Sequence, residues 1–235
     1  MSWAAPAETF RINVLGTLNV LEAVRRAGVH PVIVSVGSSA EYGPNPEGAP
    51  IAETYPTIPM NPYGISKLAQ DHLARLYAQT HQLSVVRVRP FFLIGPRKIG
   101  DVCSDFARRL IALERSGVRD FPVGNLETVR DFLDIRDGVS ALWTLVQRGR
   151  PGEVYNLCSG KGVAIRHVLD LMKSHVRMPV EERLDPGRLR PTDEPVRIGD
   201  PRKLMALGWA PRYALQQTVE ELLSYWRSAD EAVLA

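Results

Sequence analysis

Apolar residues recur at three- and four-residue steps between Glu8 and Ala27, at Phe10, Val14, Leu18, Leu21 and Val24, the spacing of one buried helix face. Gly28 is the expected stop. The run Pro31-Val32-Ile33-Val34-Ser35-Val36, β-branched in its middle, predicts a buried strand. A loop rich in Gly, Pro, Ser and Asn follows from Gly37 to Asn61, and Pro62 suits the first turn of a helix reaching about Thr80. Ser84-Val85-Val86-Arg87-Val88-Arg89 and Glu153-Val154-Tyr155-Asn156-Leu157 predict two further strands, and Phe121-Pro122-Val123 and Asp131-Phe132-Leu133 two short extended pieces. The apolar periodicity places additional helices at 104–116, 137–148, 164–175 and 214–228. Strands alternating with helices predict an α/β fold, a doubly wound parallel sheet covered on both faces. The Pro-, Arg- and Asp-rich stretch from Leu184 to Arg202 reads as a loop over a smaller C-terminal lobe.

Composition narrows the function classes. The chain of 235 residues is 45% hydrophobic and 23% charged, ordinary for a soluble globular protein. No apolar run approaches the ~18 residues of a membrane span, and Met1-Ser2-Trp3-Ala4-Ala5-Pro6 lacks a signal-peptide pattern. Cys103 and Cys158 form neither a disulfide framework nor a metal-ligand spacing, so a reducing cytoplasm is the simple expectation. The net charge of +3 is small and the arginines are scattered, which argues against nucleic acid and suits an anionic small molecule. The histidines at 30, 72, 81, 167 and 175 show no metal spacing and are expected at the surface or at helix ends. Trp143 and Trp209 are expected to pack. Lys161, in Ser159-Gly160-Lys161-Gly162, has the wrong spacing for a phosphate loop.

Chemistry concentrates at Tyr63-Gly64-Ile65-Ser66-Lys67. A Tyr and a Lys four apart on a helix share one face. A nearby ammonium favours the phenolate and draws the Tyr towards a usable acid–base range. Twenty-five residues before Tyr63, Gly37-Ser38-Ser39-Ala40-Glu41-Tyr42-Gly43 follows a predicted buried strand, and ligands of open α/β sheets bind at strand C-termini. A Ser38 hydroxyl placed there can hydrogen-bond the oxygen that Tyr63 protonates.

Together, Asn13-Val14-Leu15-Gly16-Thr17-Leu18-Asn19, the Ser38 loop ending in Tyr42-Gly43, Asn61-Pro62-Tyr63-Gly64-Ile65-Ser66-Lys67, and Arg89-Pro90-Phe91 with Gly95-Pro96 resemble the extended short-chain dehydrogenases acting on nucleotide sugars, the NAD-dependent epimerase/dehydratase family. The segment Gly124-Asn125-Leu126-Glu127-Thr128-Val129-Arg130-Asp131-Phe132 looks most like the members handling GDP-linked sugars, the GDP-mannose 4,6-dehydratases and the GDP-4-dehydro-6-deoxy-mannose reductases. The resemblance implies NADP or NAD as cofactor, a GDP-sugar substrate and a homodimer. It implies catalysis by Ser38, Tyr63 and Lys67, with Tyr63, Lys67 and Pro90 at the cofactor. At the substrate it implies Ser39, Asn125, Arg130 and Arg190; planar guanidinium forks suit a diphosphate. In a 4,6-dehydratase it implies an acidic residue or two just after the catalytic Ser or Thr. Ser39 and Ala40 stand there instead, and Glu41, one position on, is expected to point elsewhere. The leading expectation is therefore reduction of GDP-4-dehydro-6-deoxy-D-mannose to GDP-D-rhamnose. A nucleotide-sugar epimerase or 4,6-dehydratase, and a non-catalytic nucleotide-sugar-binding fragment, are the alternatives.

Two departures from the family pattern stand out. Phe92 occupies the place of an Asn that the family uses on the substrate diphosphate. No G-x-x-G-x-x-G or G-x-G-x-x-G follows a strand near the N-terminus, so the nicotinamide phosphate form is not readable. The expectation is a sheet lacking its first strands, residues 31–36 as an exposed edge, and poor dinucleotide binding by the 235 residues alone. Residues 1–157 would form the truncated dinucleotide-binding core, with 92–123 partly contributing to the substrate lobe. Residues 158–235 would form mainly that lobe and the C-terminal helix.

Overall fold

The computed structural model describes residues 2–189 and 194–234. Its first sheet is parallel throughout, with β1 (Ile33–Val36) beside β2 (Val85–Pro90) and β2 beside β6 (Val154–Leu157). Helices cover both faces. On one lie α1 (Pro6–Phe10), α2 (Gly16–Ala27) and α3 (Pro62–Thr80), and on the other α5 (Ile135–Arg148). Val86, Val88, Leu133, Ala141, Leu145, Tyr155 and Leu157 form the core under α5, joined by Leu204 and Trp209 from beyond the second lobe. Leu21, Ala74, Tyr77, Leu83 and Val85 close the core beneath α2 and α3.

A second core belongs to a second lobe. It gathers α4 (Val102–Ser116), β4 (Asp120–Val123), α6 (Ile165–Lys173) and α7 (Leu215–Leu234) around Phe106, Leu110, Phe121, Leu169, Met172 and Leu222. In a sheet linking the lobes, β5 (Val129–Asp134) pairs in parallel with β3 (Phe92–Ile94) and β9 (Val196–Arg197), and antiparallel with β7 (Gly162–Ala164). β8 (Glu181–Leu184) pairs in parallel with β4.

The long elements lie where the periodicity puts them. The predicted helix over 8–27 runs from Pro6 to Ala27 but is interrupted by a π turn over Arg11–Leu15, and it ends at Gly28 in the left-handed conformation, φ 65°. α4 and α5 start two residues earlier than the periodicity suggests, because Asp101 and Asp134 cap them; the Asp101 carboxylate accepts Cys103 and Ser104 N–H, and that of Asp134 accepts Arg136 N–H. β3, β7, β8 and β9 are two to four residues long and form because partners present edges, a signal that short windows do not carry. Trp209 is 4% exposed, with its indole N–H donating to the Asp137 carbonyl and to Ser140 Oγ, as packing requires. Trp143 is the correction: it is 62% exposed on the outer face of α5, alongside Val139 and Val146. No helix among the described residues is long and apolar enough to cross a membrane, and no group of metal-ligating side chains occurs among them.

Candidate active site at the end of the first strand

β1 delivers its C-terminus to the site, and the chain turns there through Gly37. A Cβ at Gly37 would lie 2.2 Å from Glu41 Oε1 and 3.2 Å from Val88 O, so any side chain there must displace the buried Glu41 carboxylate. Ser38 then caps a short 3-10 turn, Ser39–Glu41, through a reciprocal capping box. Its Oγ accepts Ala40 N–H at 3.1 Å, and Glu41 Oε1 accepts Ser38 N–H at 2.7 Å. Glu41 is 0% exposed and points inward to the Arg89 guanidinium, 2.7 Å away, so it does point away from the site as expected.

α3 brings Tyr63 and Lys67 to the same place. Asn61 caps it, accepting Gly64 N–H at 2.8 Å, with Pro62 at the first position. A Cβ on Gly64 would stand 2.3 Å from the Ala40 carbonyl oxygen; its absence lets the Tyr helix press against the Ser38 turn. Lys67 Nζ lies 6.0 Å from the centre of the Tyr63 ring and donates to Val36 O and Gln70 Oε1, each at 2.9 Å. An ammonium has three donors, so one remains for a ligand.

Tyr63 is 38% exposed, yet crowding around its hydroxyl raises the phenol pKa, opposed by a hydrogen bond with Ser38. The lowering expected from Lys67 is absent. Burial instead pushes the Lys67 pKa down, and the ammonium is engaged by Val36 and Gln70. Ser38, Tyr63 and Lys67 are thus brought together. Pro90 ends β2, in register with Leu157 of β6.

A cleft of about 300 Å³ opens in the second lobe, with Asn125, Arg130, Phe92, Asp105, Thr128 and Arg188 among its walls. Asn125 and Arg130 therefore share one cavity. Arg130 donates to the Val129 and Glu194 carbonyls. Among the described residues the buried Thr128 hydroxyl in this cleft has no hydrogen-bond partner, an invitation to a polar ligand, while Asp101 Oδ2 has only the Lys98 ammonium 3.9 Å away. Phe92 packs edge-on to Phe132, ring centres 5.1 Å apart, with Lys98 Nζ 4.6 Å from its own ring centre. Ser39 lies at the turn rather than among the cleft's lining residues, and Arg190 falls outside the described residues.

Sequence reasoning missed Arg197. It stands on β9 in register with Arg130, pairs with Glu194, and donates to the Ser39 carbonyl, tying the cleft to the Ser38 turn. Only its position one strand away from Arg130 reveals it, and β9 is too short to read.

A parallel sheet ending in a Ser–Tyr–Lys cluster, beside a polar cleft in a second lobe, defines the short-chain dehydrogenase class of enzymes. The family model described as GDP-mannose 4,6 dehydratase matches residues 1–222, and the chain belongs to that family. It is 36% identical over 227 residues to a GDP-6-deoxy-D-mannose reductase of Pseudomonas aeruginosa, covering 95% of this chain and 75% of that one. It is 34% identical to a UDP-glucose 4-epimerase of Streptomyces lividans, covering 89% of this chain and 66% of the relative. The solved structure of RMD from Pseudomonas aeruginosa complexed with NADPH superposes with a TM-score of 0.91 at 34% identity, over 97% of this chain and 77% of that chain. A UDP-glucose 4-epimerase from Thermotoga maritima with UDP-glucose superposes at TM-score 0.85 and 25% identity, over 97% of this chain and 73% of that chain. The resemblance and the α/β fold expected from the motifs are borne out.

Proposed function

We propose that this chain carries the catalytic and substrate-binding parts of a nicotinamide-dependent reductase of a GDP-linked 4-keto-6-deoxy sugar, converting GDP-4-dehydro-6-deoxy-D-mannose to GDP-D-rhamnose. The observation that carries the reading is the Ser38–Tyr63–Lys67 cluster in a turn whose one carboxylate, Glu41, is turned inward and paired with Arg89. A ketone reductase needs a proton donor and positioning from the protein; a dehydratase needs a carboxylate base facing the sugar. This turn offers the first and withholds the second.

The roles follow from the geometry. Tyr63, whose raised pKa keeps it protonated at neutral pH, gives its proton to the C4 oxygen as negative charge develops there. Ser38 Oγ already accepts from the Ala40 amide, which leaves its O–H to donate to that same oxygen. Lys67, with its remaining N–H, holds a ribose hydroxyl. Pro90 borders the nicotinamide. A reduced nicotinamide, NADPH or NADH, supplies the hydride when bound. The free donor on Lys67 and its place beside Tyr63 fit that group. In the second-lobe cleft, Asn125 and Arg130 hold the nucleoside diphosphate, with Ser39 at the sugar, and Arg190 joins them on the sequence resemblance alone; the Thr128 hydroxyl, unpartnered among the described residues, supports a polar ligand in this cleft.

The UDP-sugar epimerases among the relatives keep epimerisation as a second reading. Supplying the full-length protein with the GDP-linked keto sugar decides between them. One reduced cofactor oxidised per sugar supports reduction; interconversion of sugars without net cofactor consumption supports epimerisation. Tyr63→Phe should retain sugar-nucleotide binding and lose turnover, and a variant that still turns over would refute the Tyr63 assignment. This reading includes a homodimer through the α1–α3 face, where Ile12, Leu15, Ile65 and Leu76 are exposed, and a cytoplasmic setting.

A further inference from the structure

Beneath the Ser38 turn lies a group of buried charges that the proton transfer does not use. Glu41, Arg89, Asp71 and Arg87 are all under 9% exposed. Arg89 Nε donates to Glu41 Oε2 at 2.7 Å, and Arg89 Nη2 to Asp71 Oδ2 at 2.9 Å. The same Asp71 oxygen accepts Arg87 Nη1 at 2.7 Å. The other Glu41 oxygen takes the Ser38 amide at 2.7 Å. Glu41 therefore spans from a charge cluster anchored on β2 and α3 to the backbone of the one residue whose hydroxyl faces the Tyr63 phenol.

A surface capping box would stabilise a short turn and little else. This one is buried, its Glu is locked by a guanidinium that also stacks 4.9 Å from the Tyr42 ring centre, and the Ser38 oxygen it presents has its acceptor side occupied by the Ala40 amide. The Ala40 amide takes one of the hydroxyl's two lone pairs and leaves its hydrogen for donation, and the turn sets where the Ser38 oxygen stands. Resting on the reductase reading above, we infer that Glu41, acting through the Ser38 amide and held by Arg89, is a positioning residue that fixes the Ser38 hydroxyl as a hydrogen-bond donor aimed at the reacting carbonyl oxygen. Ser38 needs this support because it lies just past the end of β1, beyond the ladder that fixes Ile33–Val36.

The inference separates from a general stabilising role by a double-mutant cycle in the full-length protein. Glu41→Ala should lower kcat by about 10-fold or more, the scale of a small misplacement at a reacting centre, with KM for the keto sugar within about 2-fold. In a Ser38→Ala background, where no hydroxyl remains to aim, the same substitution should change kcat by less than about 2-fold, while its effect on Tm persists. Glu41→Gln, which keeps an acceptor for the Ser38 amide but loses the carboxylate facing Arg89, should lie between wild type and Ala. An equal loss of kcat in both backgrounds would overturn the inference. Should the wild type reduce no nucleotide-linked ketone, the reductase reading falls by itself, and hydrogen exchange then decides the positioning claim. Glu41→Ala should accelerate exchange at the Ser38 amide while the Val88 amide of β2 keeps its protection; unchanged protection at Ser38 would overturn it.

Discussion

Asp71 offers the sharpest stability experiment in the molecule. Its carboxylate, 3% exposed, accepts from two buried guanidinium groups, Arg87 at 2.7 Å and Arg89 at 2.9 Å. Truncation to Ala leaves Arg87 with only the Gly152 carbonyl at Nη2 and an already unpartnered Nε, and leaves Glu41 as the one carboxylate against two buried cations. Removing one partner from a buried ion pair typically costs about 3–5 kcal/mol, because the remaining charge keeps its desolvation penalty. Two effects act in opposite directions here. Two cations lose a partner rather than one, while Glu41 is relieved of a like charge that now raises its pKa and so ionises more readily beside Arg89. The middle of the range, about 4 kcal/mol, is the expectation, against a total stability of about 5–15 kcal/mol. With a urea slope of about 2 kcal/mol per M, the midpoint should fall by about 2 M. Asp105→Ala serves as the control. Its partly exposed carboxylate pairs with Arg109 one helical turn away, and its loss should cost under about 1 kcal/mol. Urea unfolding followed by far-UV circular dichroism reads both. An Asp71→Ala variant within about 1 kcal/mol of wild type would refute the argument that this carboxylate holds buried charge in balance.

Other expectations are simpler to state. Burial first, and then the Asp71 charge, push the Glu41 carboxyl up to about 7, so between its unfolded value of about 4.3 and 7 the folded chain holds more protons than the unfolded one. Stability contributed this way is fully present below the unfolded pKa and lost as pH rises through 7; the Tm of wild type relative to Glu41→Gln should therefore fall between about pH 5 and pH 8, and a rise would contradict the sign. Gly64→Ala places a methyl against the Ala40 carbonyl, so α3 and the Ser38 turn must separate; kcat should fall more than the sugar-nucleotide Kd rises, checked by steady-state kinetics and calorimetry. Arg130→Ala should weaken GDP-sugar binding by about 1.5–3 kcal/mol, the scale of a hydrogen bond from a charged group, with the Tyr63 environment unchanged; calorimetry with GDP alone reads it.

The helices and the buried strands were legible because each repeats its pattern over enough residues. Tyr63 and Lys67 are a turn apart on one helix, so spacing alone puts them on one face. Ser38 was legible because it follows a strand that has no polar position except Ser35. The charge cluster was not, since Arg89 lies 48 residues from Glu41 and reaches it only because β1 and β2 are neighbours in the sheet. Arg197 is 158 residues from Ser39 and sits on a two-residue strand without periodicity of its own. Trp143 shows the converse failure, because an apolar residue on an amphipathic helix reads as core whether or not anything covers it. The Tyr63 shift was misread for a related reason. Spacing located the ammonium but not the Val36 carbonyl and Gln70 amide that occupy it, nor the burial that dominates the phenol.

β1 has one more property with practical weight. Ile33 N–H donates to the Ser84 carbonyl just before β2 and Gly37 N–H to the Val88 carbonyl within it, so in a parallel ladder Val34 and Val36 turn their amides and carbonyls outward. Lys67 and Gln70 cover the Val36 carbonyl, and a groove of about 370 Å³ lined by Ile12, Val20, Val34 and Val36 runs alongside. Two opposite demands meet on this margin: the backbone asks for another extended segment, while the side chains ask for dry surface. Any preparation of these 235 residues alone should therefore behave differently when dilute and when concentrated, and sedimentation across a dilution series belongs before the first kinetic trace.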